Sequence, residues 1–200
     1  MEIGKAILLK LAEYIEFFSE IFKFKSKVII YYENNLSKNN STEASICLVD
    51  SSNISDAAEY EGSGYVKRYK KFLAQGDIGY YAYLDNRWVH CSWVKIGPQA
   101  IYKWVHFPPF TLKAREAYCH FGKTLPMARG HNIAPTVLST ITKNLQGKVD
   151  HIYTRVDEKN VASRRAVEKA GFVEKRRQQV ITILGFNFQS PAKKLLTLPF

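Results

Sequence analysis

Thr124-Leu125-Pro126-Met127-Ala128-Arg129-Gly130-His131-Asn132-Ile133-Ala134-Pro135 is the stretch that most constrains the fold, because it joins a predicted strand to a predicted helix. A short loop of small residues that opens a helix directs several backbone N–H groups at one point, in front of the positive end of the helix dipole. Gly130 and Ala134 let a ligand approach closely, and Asn132 is of a type that tolerates a left-handed backbone. The stretch predicts a phosphate or pyrophosphate site, with an ordinary strand–helix connection as the alternative.

The segments around this loop alternate between strand and helix patterns. Upstream, two period-two segments are separated by Asp85-Asn86, which predicts a hairpin because Asn accepts a positive φ. The predicted elements are strands 28–32 and 44–49, helical pieces within 51–74, strands 78–84, 88–96 and 112–121, helix 135–145, strand 149–155, helix 161–170 and closing strands within 172–186. A right-handed crossover would make strands 112–121 and 149–155 parallel. The order predicts an α/β (α+β) domain with a mixed sheet.

A second informative segment, residues 160–172, reads NVASRRAVEKAGF. Asn160 can cap a helix at its start, and Gly171 can end the helix in a left-handed turn. As structure, these residues require no function.

The two segments in this order resemble the GNAT superfamily of acyl-CoA-dependent N-acyltransferases. The loop is similar to the family pattern V-x-P-x-x-R-G-x-G-x-G/A, and residues 160–172 are similar to N-x-x-S-x-x-x-x-E-K-x-G-F. The resemblance covers residues 78–186. It implies a mostly antiparallel central sheet flanked by helices, with splayed central strands. It also implies a direct, ternary-complex N-acetyltransferase with acetyl-CoA as cosubstrate.

The resemblance assigns cofactor-binding roles to particular positions. The cofactor pyrophosphate is expected on the backbone N–H groups of Arg129, Gly130, His131, Asn132, Ile133 and Ala134. Backbone groups from Phe121 to Leu125 are expected to hold the thioester, and Asn160 and Ser163 to contact the pantetheine or adenosine part. The acceptor amine would enter over Trp88–Trp93 and the aromatic loop Tyr102–Phe110.

Two positions depart from the family pattern. Asn132 stands where the family usually has glycine, and Val167 stands where many members carry a tyrosine that protonates the leaving thiolate. Another group or water is then the acid, or the thiolate leaves unaided. A degenerate domain that binds acyl-CoA as a sensor or scaffold is the alternative that these departures favour.

Transfer to an amine requires a base, because an ammonium must lose a proton before or during attack on the thioester. Glu116 lies mid-strand, where some members of the family place a catalytic glutamate. Glu116, Tyr118 and His120 alternate along the predicted strand and therefore share one face. His120 is the second candidate, because histidine is the residue type that most often acts as a base near neutral pH. The alternative for Glu116 is a solvated strand residue.

Composition limits the partners. The chain has 200 residues and a formal net charge of +11, which indicates an anionic partner without choosing among nucleic acid, lipid and a phosphorylated cofactor. A basic nucleic-acid-binding domain using Lys67–Lys71 and Lys175–Arg177 is a second alternative, although we expect no nucleic acid partner. Three scattered cysteines argue against a disulfide scaffold, and no metal-ligand spacing occurs, so we expect a cytoplasmic protein without a metal.

Residues 1–25 predict one amphipathic helix that precedes an acetyltransferase domain of residues 26–200. Its apolar residues recur at three- and four-residue steps, with lysines and glutamates on the other side. The helix either packs on the domain or a homodimer partner, or lies in a membrane interface. A basic amphipathic leader is also similar to that of GNAT members associated with bacterial surface-polysaccharide synthesis.

Overall fold

A computed structural model describes residues 25–34, 38–101, 110–183, 186–190 and 193–194. The predicted leader helix lies outside the described residues except for Lys25, and so does the predicted acceptor loop from Tyr102, apart from Phe110. Within the described part of the chain, no helix is long and apolar enough to cross a membrane.

Eleven strands and four α-helices are assigned within these ranges. The strands are β1 (Lys25–Asn34), β2 (Ser45–Leu48), β3 (Ile78–Leu84), β4 (Arg87–Ile96), β5 (Gln99–Ile101), β6 (Phe110–Leu112), β7 (Glu116–Thr124), β8 (His151–Asp157), β9 (Val173–Ile183), β10 (Phe186–Gln189) and β11 (Lys193–Lys194). The helices are α1 (Ala58–Glu61), α2 (Ser63–Ala74), α3 (Ile133–Leu145) and α4 (Val161–Lys169). A 3₁₀ turn covers Pro126–Ala128.

One large mixed sheet organises the domain. Its strand order is β10-β9-β1-β8-β7-β4-β3-β2, with β11 also paired to β9, while β5 and β6 form a separate hairpin. Every pairing in the large sheet is antiparallel except that of β7 with β8, which is parallel. The predicted crossover and the predicted fold class, a mostly antiparallel sheet flanked by helices, are confirmed.

Local sequence signals set most of the strand ends. Asp85 and Asn86 have φ of 50° and 61°, the left-handed pair that a tight hairpin between β3 and β4 requires. The predicted start of strand 112–121 was wrong, because the chain turns after Leu112 through Arg115, which has φ 60°. Glu116 is therefore the first residue of β7 and not a mid-strand residue.

The N-terminal strand lies inside the sheet. β1 pairs with β8 on one side and with β9 on the other. Ile29, Ile30 and Tyr32 are at most 1% exposed. A strand with neighbours on both edges and buried side chains on both faces contributes to the core as much as any central strand, at about 1.5–3 kcal/mol for each large apolar side chain.

Helices cover both faces of the sheet. α2 packs on β3, and its Tyr69 ring lies 6.1 Å from the ring of Tyr81. α3 packs on β4 and β7 from the opposite face, where its Asn144 Nδ2 donates to the Tyr80 hydroxyl. Tyr80 and Tyr81 are consecutive strand residues and point to opposite faces. We call the face that α2 covers the α2 face and the other the α3 face.

Candidate functional site

The central strands β7 and β8 separate within the sheet. Their parallel pairing covers Glu116–Tyr118 opposite His151–Tyr153, although β7 continues to Thr124 and β8 to Asp157. At the point of separation, the Thr154 hydroxyl donates to the Cys119 carbonyl at 3.1 Å. The gap beyond this point is called the fork here, and it confirms the predicted splay of the central strands.

A bulge lies at the start of the fork. Phe121 has φ 51°, and the register of β4 against β7 shifts between Cys91 and Trp93. A positive φ in a bulky non-glycine residue is strained and persists where the surroundings hold it. The Phe121 ring packs within 6.0 Å of the rings of Tyr65 and Tyr69, and its carbonyl accepts a weak bond from the Cys91 thiol.

The predicted phosphate loop follows β7 and ends at the fork. The chain passes through the 3₁₀ turn, Gly130 at φ 90° and Asn132 at φ 58°, and α3 begins at Ile133. The position where the family has glycine is thus left-handed, and asparagine adopts this conformation more readily than most residues. The departure at Asn132 is accommodated by the loop.

Five consecutive backbone donors lie at this helix start. In the part of the chain that the structure describes, the N–H groups of Gly130, His131, Asn132, Ile133 and Ala134 make no hydrogen bond. The N–H of Arg129 donates instead to the Pro126 carbonyl, and that of Leu125 to the Val89 carbonyl. The predicted donor set therefore begins at Gly130.

A segment that the sequence did not single out braces the loop. Asn132 Nδ2 donates to the Ser41 carbonyl and the Thr42 hydroxyl donates to the His131 carbonyl, both at 2.7 Å. An open cavity of about 530 Å³ is lined by Ser41, Thr42, Glu43 and His131. The polar, turn-rich composition of residues 34–42 predicts a loop, although Asn34 is still the last residue of β1, and the contacts of Ser41 and Thr42 depend on the tertiary fold.

Helix α4 begins and packs as its sequence predicts. Asn160 Oδ1 accepts from the Ser163 N–H at 3.1 Å and so caps the helix. Val167 is 5% exposed and packs in the core. The Tyr32 hydroxyl donates to Glu168 on this helix, and burial raises its pKa to about 12. That phenol is consequently a weaker acid than an ordinary tyrosine.

Glu116 lies before the fork. Its carboxylate accepts from the Lys113 N–H at 2.8 Å and from the Tyr153 hydroxyl at 3.5 Å. Because residues 116–118 pair with β8, this side chain belongs to the closed part of the sheet.

His120 lies where the strands have separated, on the α2 face. Its Nε2 is 3.1 Å from Asp77 Oδ2, and Lys95 Nζ donates to the other oxygen of the same carboxylate. The side chains of Asp77, His120 and Lys95 are 0%, 5% and 13% exposed. The Phe72 ring stands edge-on to the imidazole, and Tyr118 stacks on it. A buried carboxylate that accepts a hydrogen bond from one ring nitrogen fixes the orientation and the tautomer of the imidazole ring.

A second buried histidine lies on the α3 face. His90 Nδ1 is 2.7 Å from the Thr124 hydroxyl, and its Nε2 is 2.8 Å from the Ser92 hydroxyl. Desolvation lowers the pKa of His90 to about 3, so the ring is neutral at physiological pH. The described residues hold no group of three or more His, Cys, Asp or Glu arranged to bind a metal ion.

Solved structures show which known fold this arrangement matches. An acetyltransferase of the GNAT family from Colwellia psychrerythraea matches with a TM-score of 0.59 and 17% identity, over 83% of this chain and 57% of that one. The chain has the GNAT fold. A GCN5-related N-acetyltransferase-like protein from Streptococcus suis matches this GNAT fold with a TM-score of 0.54 and 11% identity, over 84% of this chain and 66% of the other.

The chain thus spans less than two thirds of the length of these two structures. No protein-family model matches the sequence, and neither does any curated protein. Two short sequence motifs predicted the GNAT fold. In the structure, one motif forms the loop before α3 and the other forms helix α4.

Proposed function

We propose that the protein is an acyl-CoA-dependent N-acetyltransferase that moves an acetyl group from acetyl-CoA to a primary amine within a ternary complex. The observation that carries this proposal is the set of five N–H donors, from Gly130 to Ala134, at the end of the fork. A helix start with converging donors binds phosphate through both hydrogen bonds and the helix dipole.

The fork suits the rest of the cosubstrate. Beyond Cys119 the edge of β7 faces β8 without ladder bonds, so its backbone groups are available to an extended amide chain such as pantetheine. The bulge at Phe121 and the following residues would hold the thioester carbonyl. Positioning amine and thioester together supplies much of the rate in such a transfer.

For the base we rank His120 above Glu116. His120 lies at the fork beside the bulge, and the Asp77 carboxylate orients its imidazole by accepting from Nε2. The Glu116 carboxylate accepts from Lys113 and Tyr153 in the closed part of the sheet. The imidazole takes one proton from the ammonium, the resulting amine nitrogen bonds to the acetyl carbon and releases its second proton to solvent, and the C–S bond breaks with its electron pair left on the thiolate.

No phenol is assigned to the leaving thiolate. Val167 has no hydroxyl and is buried, and the raised pKa of Tyr32 makes that hydroxyl a poor donor. We propose that the thiolate leaves without a protein acid. Binding of acetyl-CoA without thiol release in the presence of any amine would favour the acyl-CoA sensor instead.

The proposal is tested by the thermal shift that acetyl-CoA produces. A ligand that binds only the native state raises its stability by RT ln(1 + [L]/Kd). Gly130 and Gly147 both have positive φ, 90° and 77°, with open space at the Cβ position, and they lie just outside opposite ends of α3. Gly130→Val and Gly147→Val should therefore suffer similar backbone strain.

Only Gly130→Val should lose most of the shift, because its side chain stands where the pyrophosphate approaches the loop. Gly147→Val should melt at a lower temperature but keep the shift. An undiminished shift in Gly130→Val, or no shift in the unaltered protein, would contradict the proposed site.

A further inference from the structure

One buried carboxylate joins a lysine to the histidine at the fork. Asp77 directly precedes β3, and its side chain is 0% exposed. Its Oδ1 accepts from Lys95 Nζ, and its Oδ2 lies 3.1 Å from His120 Nε2. These three residues are called the trio here. Any change in the charge of one member is therefore felt by the other two.

Lys95 is built into the sheet and is not a surface residue. It lies on β4 opposite Tyr118 of β7, and two residues earlier Trp93 lies opposite His120. The ammonium makes a second hydrogen bond, to Gln99 Oε1 at 3.3 Å, and the side chain is only 13% exposed. Such a lysine has lost most of its hydration, so its charge needs the carboxylate as compensation.

The charges of the trio balance in one protonation state. With a neutral imidazole, the carboxylate and the ammonium sum to zero, whereas an imidazolium leaves a net charge of about +1 in a buried site, which is costly. The neutral ring is the form that can accept a proton. If Lys95 carried no charge, the imidazolium would become the counter-charge of Asp77, and His120 would hold the proton that a base must be free of.

Other polar groups also surround His120. Apart from the apolar ring that α2 places edge-on to it, Tyr118 stacks on the imidazole from β7, and burial raises the pKa of this phenol, which is uncharged at neutral pH. Arg155 of β8 donates to the Tyr118 hydroxyl, and Arg68 of α2 lies 5.4 Å from the ring of Phe121. These groups are the same in every variant below, so differences between the variants report the trio.

We propose that Lys95 is a positioning residue for the base: it balances the charge of Asp77, so that His120 meets the substrate amine as a neutral imidazole. This inference rests on the proposed function, in which His120 takes a proton from the ammonium. Lys95 acts through the shared carboxylate and needs no contact with the substrate. A lysine that only stabilises the sheet would change the melting temperature and leave the protonation of His120 as it is.

The test follows the protonation of His120 without substrate. NMR of protein with isotope-labelled histidine gives the pH at which half of each ring is protonated, and His120→Gln identifies the His120 signal by its loss. Lys95→Met should raise this midpoint pH and Asp77→Asn should lower it, each by about 1 pH unit or more, as a charge within about 4–6 Å typically does. The double variant, which removes both charges, should lie between the two.

The double variant also covers the case in which Lys95→Met does not fold because Asp77 is left buried and unpaired. Its midpoint should still exceed that of Asp77→Asn, since Lys95 is the difference between them. Equal midpoints in these two proteins, or in Lys95→Met and the unaltered protein, would overturn the inference.

A second lysine provides the matched control. Glu33 Oε1 lies 2.6 Å from His151 Nδ1, and its Oε2 lies 3.6 Å from Lys175 Nζ, so another carboxylate lies between a histidine and a lysine. Lys175→Met should leave the His120 midpoint and kcat unchanged. A shift of the His120 midpoint in Lys175→Met equal to that in Lys95→Met would show a general effect of charge and would contradict the role of the trio.

Turnover connects the trio to the reaction. Lys95→Met should lower kcat at neutral pH about 10-fold or more, following the shift of the midpoint, with little change in the KM for acetyl-CoA. Lys95→Arg keeps the charge and should restore most of the rate. A raised midpoint with undiminished kcat in both Lys95→Met and His120→Gln would overturn the inference, because the trio would then serve no base.

The two readouts separate this inference from the proposed function. If His120→Gln loses turnover while Lys95→Met leaves the midpoint unmoved, only the role of Lys95 fails. If acetyl-CoA gives no thermal shift and no thiol is released with any amine, the transferase proposal fails, and the inference about its base fails with it.

Discussion

His120 Nε2 and Asp77 Oδ2 lie 3.1 Å apart, although 43 positions separate the two residues in the chain. Asp77 directly precedes β3, and β4 lies between that strand and β7 in the sheet. Replacing a buried ion pair with apolar residues of similar volume is often neutral or stabilising, so stability alone does not explain why Asp77 and His120 are buried together. The pair at the fork is therefore a candidate for function.

His120→Gln should lower kcat by about 10²–10⁴-fold, the usual loss for a general base. Glutamine fills a similar volume and can still donate to Asp77, so binding of acetyl-CoA should change little. The loss should shrink at high pH, where more of the amine is already neutral. Steady-state kinetics across pH, with the thermal shift as binding control, measure both effects.

Glu116→Gln is the matched variant on the same strand face. Its amide oxygen can still accept from the Lys113 N–H, so we expect kcat close to that of the unaltered protein. A loss of two decades in Glu116→Gln, with His120→Gln active, would make the carboxylate the base. If neither variant loses activity, deprotonation is left to water.

His90 should make stability depend on pH on the acid side. Its pKa is about 3 in the folded protein and about 6.5 when unfolded, so the unfolded chain binds one more proton between these values. Stability should thus be complete above about pH 6.5 and fall by up to about 1.4 kcal/mol per pH unit as the pH drops toward 3. Urea unfolding of the unaltered protein and of His90→Gln, from pH 4 to pH 8, measures this slope.

The His90→Gln profile should be flatter over that range, whatever its absolute stability. His131→Gln removes an exposed histidine and serves as control for the general effect of acid. Parallel profiles in all three proteins would show that His90 is not the group responsible.

Asn132 should be replaceable by glycine but not by alanine. Its φ of 58° costs an L-residue such as alanine about 1–2 kcal/mol and costs glycine little. Both substitutions remove the bond to the Ser41 carbonyl, so the difference between them reports the backbone alone. Urea unfolding should give Asn132→Gly the higher free energy of unfolding, and an equal or reversed order would refute the strained conformation.

Removing residues 1–24 should leave a folded domain that still gives the acetyl-CoA shift, since the loop and the fork lie downstream. Removing residues 1–34 deletes β1 and with it the buried Ile29, Ile30 and Tyr32. That loss approaches the entire net stability of a typical domain, so the shorter chain should not fold. Circular dichroism and thermal melting distinguish the two truncations, and a cooperative melt of the shorter chain would contradict the role of β1.

The sequence alone determined the features that arise from local chemistry. Alternation and Asp85-Asn86 predicted the hairpin, and the residue pattern of 135–145 predicted the helix, because these depend on backbone preferences over a few residues. The parallel crossover was predicted by the general right-handedness of strand–helix–strand connections. The conformation of the loop before α3 was likewise readable, since a left-handed residue before a helix start is a local feature. The capping role of Asn160 and the absence of a hydroxyl at Val167 could also be read from the sequence alone.

Only the tertiary structure decided which distant groups meet. No local sequence signal predicts that β1 pairs with β8 and β9, because strand pairing depends on contacts between distant parts of the chain. The contact of Asp77 with His120 and those of Ser41 and Thr42 with the loop depend on the tertiary fold for the same reason. The start of β7 at Glu116 was misjudged for the same reason: the turn at Arg115 follows from sheet pairing, not from a glycine or a proline.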